Sequence, residues 1–368
     1  MKASVLQENF SKSLSLASRF VNTRTQLPVL GNILLVAKKT RLLVSSTNLE
    51  VSVACSIGAS VEKEGEITVP GRTITDLVIN LPAEKITLEV EKEQLKIHTP
   101  TFEATLSGMN ASDFPPVPNS VSKDGAIVLP KESFLNALSQ VIFAASIDET
   151  RPILTGVLFV FQKDQLILVA TDGFRLSQKK IQIRLKAKEE RMVLPKSVLG
   201  ELSRIVEDEE ILLSVNKKEN QVLFGTHGVV LSSRVLEGEF PDYEKIIPKA
   251  GGTKILTDKE EFLRAVKLSS VFAREAANIV KINLGKDFLD VSAESSTSGS
   301  QKTRVDARVE GETKLEIAFN YRFLEEFLHA VKAEEINMEL SGPSSPGVFK
   351  DPTDPAFLHL IMPVRVQG

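Results

Sequence analysis

Apolar residues recur at helical spacing in six segments of the chain, and the six alternate between two kinds. The first kind carries an early phenylalanine: Leu6, Phe10, Leu14, Ala17 and Val21; Phe134, Leu135, Leu138, Val141, Ile142 and Ala145; Phe262, Leu263, Val266, Ser269 and Phe272. Phe10, Phe134 and Phe262 lie 124 and 128 residues apart. The second kind follows a basic marker: Arg72 before Ile74, Leu77, Val78 and Leu81; Lys196 before Val198, Leu199, Leu202, Ile205 and Val206; Arg322 before Phe323, Leu324, Phe327, Leu328 and Val331. The markers are 124 and 126 residues apart, so both helix types repeat in one order at one period.

Short β-like runs separate the helices: Ile33–Val36, Leu42–Val44, Val51–Ile57, Ile86–Val90 and Leu95–His98 in the first block. The second has Gly156–Phe161, Gln165–Ala170, Lys180–Ile183, Ile211–Val215 and Gln221–Gly225. The third has Asn278–Leu284, Phe288–Ala293, Thr303–Val309, Ile336–Leu340 and Phe357–Val366. Short strands joined by turn residues favour antiparallel pairing. The expected class is α+β: three tandem copies of two amphipathic helices packed on antiparallel sheet.

Two breaks divide the copies. Phe114-Pro-Pro-Val-Pro-Asn-Ser120 reads as an extended linker, and Pro248-Lys-Ala-Gly-Gly-Thr253 as a second. Both follow an equivalent phrase, Asp113-Phe114-Pro115 and Glu239-Phe240-Pro241-Asp242-Tyr243, so the boundary belongs to the repeat. The expected domains are 1–120, 121–250 and 251–368.

Composition adds little to this and excludes much. Of 368 residues, 42% are hydrophobic and 25% charged, enough apolar material for a core in each domain. The net charge of −3 argues against a protein that grips phosphates over a broad surface, though not against one that gathers its cations on one face. One cysteine, Cys55, sits in a strand-like run and reads as a small buried residue in a reducing compartment. The amino terminus lacks a long apolar segment, and no stretch reaches the roughly 20 apolar residues of a membrane span, so a cytoplasmic location is expected.

Catalytic signatures are missing. His98, His227, His329 and His359 show no metal-ligand spacing and no cysteine cluster joins them, so neither a metal nor another cofactor is expected. There is no Gly-x-x-x-x-Gly-Lys phosphate loop, and Asp172-Gly173-Phe174 has the letters of a kinase motif in the wrong order. Glu207-Asp-Glu-Glu210 reads as solvated loop charge.

Four phrases exceed what the repeat requires: Asp148-Glu-Thr-Arg-Pro-Ile-Leu-Thr-Gly156, Ala170-Thr-Asp-Gly-Phe-Arg-Leu176, Leu236-Glu-Gly-Glu-Phe-Pro-Asp-Tyr-Glu-Lys-Ile-Ile-Pro248 and Ile361-Met-Pro-Val-Arg-Val366. With Leu27-Pro-Val-Leu-Gly-Asn32 and Thr47-Asn-Leu-Glu50, they resemble the bacterial DNA polymerase III beta subunits, the sliding clamps, over the whole chain. The resemblance implies a non-catalytic homodimer, closed head to tail into a ring around duplex DNA. It implies helices lining the hole, and partner proteins (polymerase, clamp loader, repair proteins) held by short peptides. It places the peptide pocket at Leu154, Thr171, Gly173, Phe174, Arg175, Leu176, Pro241, Lys245 and Ile246, completed by Met362, Pro363, Val364 and Arg365. Phe174 stands where histidine is frequent in the family, and Lys245 where arginine is.

The resemblance places the dimer contact between Ala104 and Leu106 on a first-domain edge strand and Val271 and Phe272 at a third-domain helix end. Glu103 on that edge, with Lys302 and Arg304 near the opposing strand, reverses the charge sense seen in familiar relatives. DNA would face Arg24, Arg72, Lys196, Arg204 and Arg322, with Arg19, Arg264 and Lys267 on the helices. The six helices carry only a slight basic excess; a closed channel would concentrate it. The alternatives are a diverged clamp paralogue outside replication, an unrecognised DNA-processing enzyme, and a scaffold through which no DNA passes. Under the reversed-charge reading, Glu103→Lys weakens self-association in sedimentation; unchanged association would sink that reading.

Overall fold

The computed structural model describes residues 1–22, 26–183, 189–205, 208–248 and 251–365. Among them are six α-helices, α1 (Gln7–Ala17), α2 (Gly71–Ile79), α3 (Lys131–Val141), α4 (Lys196–Ile205), α5 (Lys259–Ala273) and α6 (Tyr321–Ala330). These are the six segments that the apolar spacing predicts. Each buries the predicted stripe: Phe10 and Leu14 on α1, Ile74 and Val78 on α2, Phe134 and Leu138 on α3. Val198, Leu199 and Leu202 are buried on α4, Phe262 and Val266 on α5, Leu324, Phe327 and Leu328 on α6. Side chains cap the starts of α5 and α6. Asp258 accepts from the Glu261 amide at 2.8 Å ahead of α5, and Asn320 from the Arg322 amide at 3.0 Å ahead of α6.

By contacts the chain divides into two compact units, residues 1–131 with 201–235, and residues 132–200 with 236–368. The division falls within the middle third because its strands pair with strands of the first third on one side and of the last third on the other. In the first unit, the eight-stranded sheet runs Ile127–Pro130, Glu210–Asn216, Gln221–Thr226, Val229–Arg234, Val51–Gly58, Arg41–Thr47, Asn32–Lys38, Gly65–Pro70. Strand Val229–Arg234 of the middle third thus pairs with Val51–Gly58 of the first, and Ser52 Oγ meets Ser232 Oγ at 2.7 Å in that seam. The five-stranded sheet runs Ser60–Lys63, Lys2–Leu6, Lys85–Glu91, Gln94–His98, Glu103–Ser107.

In the second unit twelve strands follow one another. Glu190–Pro195, Gly156–Gln162, Gln165–Thr171 and Arg175–Gln182 lead into Asp354–Ile361, Gly347–Asp351, Glu335–Leu340 and Thr253–Asp258. Gly299–Glu310, Phe288–Ser295, Ile279–Leu284 and Glu316–Asn320 complete the order. The second seam pairs Arg175–Gln182 with Asp354–Ile361. Every pairing is antiparallel, as the short alternating runs predict.

Two strand ends lie furthest from the sequence reading. The strand expected at Lys180–Ile183 begins at Arg175, because Arg175, Ser177 and Lys179 are buried by partners that composition does not announce. The final strand, expected to reach Val366, ends at Ile361, ahead of Pro363, which has no amide to donate; Val366 lies outside the described residues.

The core of the second unit is aromatic. Phe327 of α6 stacks on Phe357 with ring centroids 5.9 Å apart and meets Phe349 at a tilt with centroids 5.5 Å apart, and all three are fully buried. Truncating Phe327 removes a ring from a site that cannot collapse around it. Phe327→Ala is expected to lower unfolding free energy by about 3–5 kcal/mol, read from urea unfolding by circular dichroism.

Candidate functional site

The phrase Thr171-Asp-Gly-Phe-Arg-Leu176 is the turn between strands Gln165–Thr171 and Arg175–Gln182, and its residue types follow from its hydrogen bonds. The Thr171 hydroxyl donates to the Arg175 carbonyl at 2.6 Å and accepts from the Gly173 amide at 3.1 Å. Asp172 Oδ1 accepts from the amides of Phe174 (2.9 Å) and Arg175 (3.0 Å), and its Oδ2 from Arg175 Nε (3.0 Å). Gly173 has φ +94°, which a side chain rarely adopts. The Phe174 ring is left 61% exposed at the tip.

The carboxyl-terminal strand is zipped to this turn. Ile361 pairs with Arg175, the Met362 amide donates to the Phe174 carbonyl at 2.8 Å, and the Val364 amide donates to Ala318 at 2.8 Å. The second linker joins the same surface: Tyr243 is buried against a sheet face that includes Leu176 and Leu360, with Ile153, Phe240 and Ile247 packed on it. Loop, linker and tail of the predicted pocket therefore share one part of the second unit.

Individual side chains sort differently. Leu154 and Leu176 are buried. Ile246, Met362 and Phe174 are the exposed apolar groups, Lys245 is tied to Asp242 at 2.8 Å, and Arg365 is exposed. Pro241 is exposed; Pro363 and Val364 are half-buried. The sequence reading omitted two contributors. Asp172 organises the turn, and Arg151 Nη2 reaches the Asp172 carbonyl at 3.5 Å. Asp172 and Arg151 lay within the quoted phrases, so their spacing was visible though their role was not.

Arg175, among the expected pocket residues, is buried. Its guanidinium turns inward, pairing with Asp172 and Glu326, donating to the Phe143 carbonyl at 2.7 Å and lying 4.5 Å from the Phe323 ring centroid. It heads a ladder of buried polar residues on one strand face, with Ser177 against His359 Nδ1 (2.6 Å) and Lys179 against Asp354. Gln140 of α3 also donates to Asp354, at 3.0 Å. His359 is sandwiched by rings, 5.4 Å from Phe327 and 5.3 Å from Phe143. Burial, aided by the Arg175 charge, holds its pKa down to about 3.

The expected DNA-facing residues also differ among themselves. Arg72 and Arg322 are exposed at the starts of α2 and α6. Arg204 is exposed but paired with Glu201 at 2.7 Å, a carboxylate that also binds Arg19. Lys196 is half-buried and points Nζ to the Ala145 carbonyl at 3.5 Å; burial and the Arg175 charge lower its pKa. It belongs beside the Arg175 ladder rather than to a free cationic surface. Arg24 lies outside the described residues.

The expected junction surfaces are edges. Glu103–Ser107 ends the five-stranded sheet, with Glu103 exposed and Ala104 and Leu106 half-buried. In the second unit, residues 299–306 of the strand Gly299–Glu310 pair with Phe288–Ser295 on one side, and only residues 307–310 pair with Thr253–Asp258 on the other. Val271 is exposed and Phe272 half-buried at the end of α5. The reversed charge is weaker than the sequence implies. Asp290 binds both Lys302 (2.8 Å) and Arg304 (2.9 Å), so the cluster carries one net positive charge rather than two.

Cys55 is buried, which pushes its thiol up to about 12 and leaves it inert at neutral pH. Among the described residues no His, Cys, Asp and Glu cluster could hold a metal ion, and no helix is long and apolar enough to cross a membrane.

Three two-helix units on shared antiparallel sheet, with a zipped loop and tail, define a DNA-clamp architecture. Family models of the DNA polymerase III beta subunit match along the chain: the N-terminal domain over residues 1–118, the central domain over 128–242, the C-terminal domain over 244–365. The beta sliding clamp of Staphylococcus aureus is 32% identical, with 99% of each chain covered, and that of Staphylococcus epidermidis 31%. The solved sliding clamp from Bacillus subtilis superposes with TM-score 0.94 at 28% identity, and the Pseudomonas aeruginosa subunit with 0.93 at 26%, each over the full length of both chains. The chain belongs to the bacterial DNA polymerase III beta subunit family, the sliding clamps, which are non-catalytic processivity subunits.

His359 makes stability depend on pH. The unfolded chain binds its proton near pH 6.5, while the folded chain resists it down to about 3. The folded state therefore loses stability as pH falls through that window, by about 1.4 kcal/mol per pH unit for one proton. The difference in unfolding free energy between wild type and His359→Phe should slope this way below pH 6.5 and be flat above it.

Proposed function

We propose that two copies close head to tail around duplex DNA and tether the replicative polymerase and other DNA-processing proteins through short peptides. The observation that carries this reading is the match of all three clamp domains in order along the full chain. A chain of three similar units has unlike ends, and a heterologous contact between them closes a ring at two copies. The edge Glu103–Ser107 and the half-paired strand Gly299–Glu310 have the unused hydrogen-bonding groups that such a contact needs, with Val271 and Phe272 at the end of α5, the helix packed on the second of these strands.

Retention on DNA then comes from linkage, which explains how a chain of net charge −3 serves. Exposed Arg72 and Arg322 give weak, sequence-blind contact, and tighter phosphate pairing would impede sliding. The peptide pocket rests on Phe174, Ile246, Met362 and Pro363 as the accessible apolar rim over Leu154 and Leu176. The division of the chain at 120 and 250 and a cytoplasmic, nucleoid-associated location belong to the same reading.

The test is topological. After loading, the protein should stay on nicked circular DNA through gel filtration and leave within minutes once the circle is cut. Equal retention on both forms, or none on either, would overturn it.

A further inference from the structure

The two linkers cover their sheets unequally. In the first unit, cross-strand partners Leu34, Ser45, Ala54, Val230, Gly225 and Leu212 form one row on one face of the eight-stranded sheet. Val36, Leu43 and Ser56 make a second row. The linker from Phe114 to Lys123 covers this face. It is anchored by buried Phe114 at one end, and Val121 seats at the other so closely on Gly225 that an added Cβ would lie 2.9 Å from it. Between the anchors is a groove of about 1120 Å³. Ser45 lies in it 1% exposed, its hydroxyl without a hydrogen-bond partner among the described residues.

The repeat shows what such a face ordinarily holds. Leu158, Val160, Ile167 and Val169, each 124 residues on from Leu34, Val36, Leu43 and Ser45, stand in the same register in the second unit. There Tyr243, three residues after Phe240, packs onto the face and is 3% exposed. Three residues after Phe114 stands Val117, and Ser45 replaces Val169. The first face thus lacks the ring that fills the second, and carries a buried hydroxyl with nothing to bind.

Charge is graded across the groove. Lys38, Lys39 and Arg41 line it at the hairpin between strands Asn32–Lys38 and Arg41–Thr47. Asp208, Glu209 and Glu210 line it four strands away in sheet order, about 19 Å at ~4.8 Å per strand. An extended peptide covers that span with about six residues at ~3.3 Å each.

We infer that this groove docks a short extended peptide of a partner protein, with an aromatic anchor in the place Tyr243 takes in the other face. An acidic residue lies toward Lys38 and Arg41, and a basic one toward Asp208–Glu210. This site is separate from the peptide pocket of the second unit.

The probe is a fluorescein-labelled peptide, acetyl-Asp-Leu-Tyr-Leu-Ser-Lys amide, titrated with the full chain and read by anisotropy. Saturable binding is expected, weakened at least tenfold by Val117→Tyr, which supplies the missing ring. The Lys38→Glu, Arg41→Glu double variant on the exposed rim should weaken it several-fold. Hydrogen exchange should slow at residues 32–47 and 114–123 when the peptide binds. The Val117→Tyr protein should still be retained on circular DNA, so failure here and failure of the clamp reading are distinguishable. Absence of saturable binding, binding indifferent to both variants, or protection at 171–176 and 361–365 instead would overturn the inference.

Discussion

Main-chain hydrogen bonding across two seams is the constraint on which the rest of the molecule depends. Val229–Arg234 lies against Val51–Gly58, and Arg175–Gln182 against Asp354–Ile361, each as one more antiparallel step in a larger sheet. A strand in the interior of a sheet must satisfy both edges and both faces. The residues around each seam are chosen by that demand: the Ser52–Ser232 pair at the first, and the Arg175, Ser177, Lys179 ladder at the second. The middle third of the chain is the bridge, divided between two sheets.

The second seam also couples scaffold to site. The turn at Asp172–Phe174 presents the exposed rim, and the residue that follows it, Arg175, is the first rung of the buried ladder. One face of this strand meets α6 through Glu326 and the His359 sandwich, and the other carries Leu176 beneath the second linker. A ligand that shifts Phe174 or Met362 pushes directly on main-chain bonds between the middle and last thirds. Buried charge of this kind is costly unless every partner is in place, so the ladder holds one arrangement sharply.

The helices were legible because their signal is local: a stripe at 3.6-residue spacing and a basic marker before three of them. The repeat made the architecture legible too, since its period survives divergence of individual residues. The seams were not, because a strand's partner is set by residues more than a hundred positions away. The pocket phrases were visible as spelling, but the inward turn of Arg175 depends on Glu326, 151 residues on in sequence. Lys196 held its place in the repeat while its ammonium group was drawn to the Ala145 carbonyl. Lys302 and Arg304 looked like a free basic edge because Asp290, the carboxylate they share, sits on an adjacent strand.

The strand Gly299–Glu310 has a further consequence for the newly made protomer. Its last four residues pair with Thr253–Asp258, yet its first eight offer one bare edge, a template open to any extended chain in a crowded cell. What guards that edge before a second copy arrives is composition. Gly299-Ser-Gln-Lys-Thr-Arg304 contains no large apolar residue, and each of its two cations is held rigid by Asp290 rather than left to fold away. The polarity of this segment reads as protection against promiscuous aggregation during the interval before assembly, and it constrains how far the junction can drift toward stickier, tighter contacts.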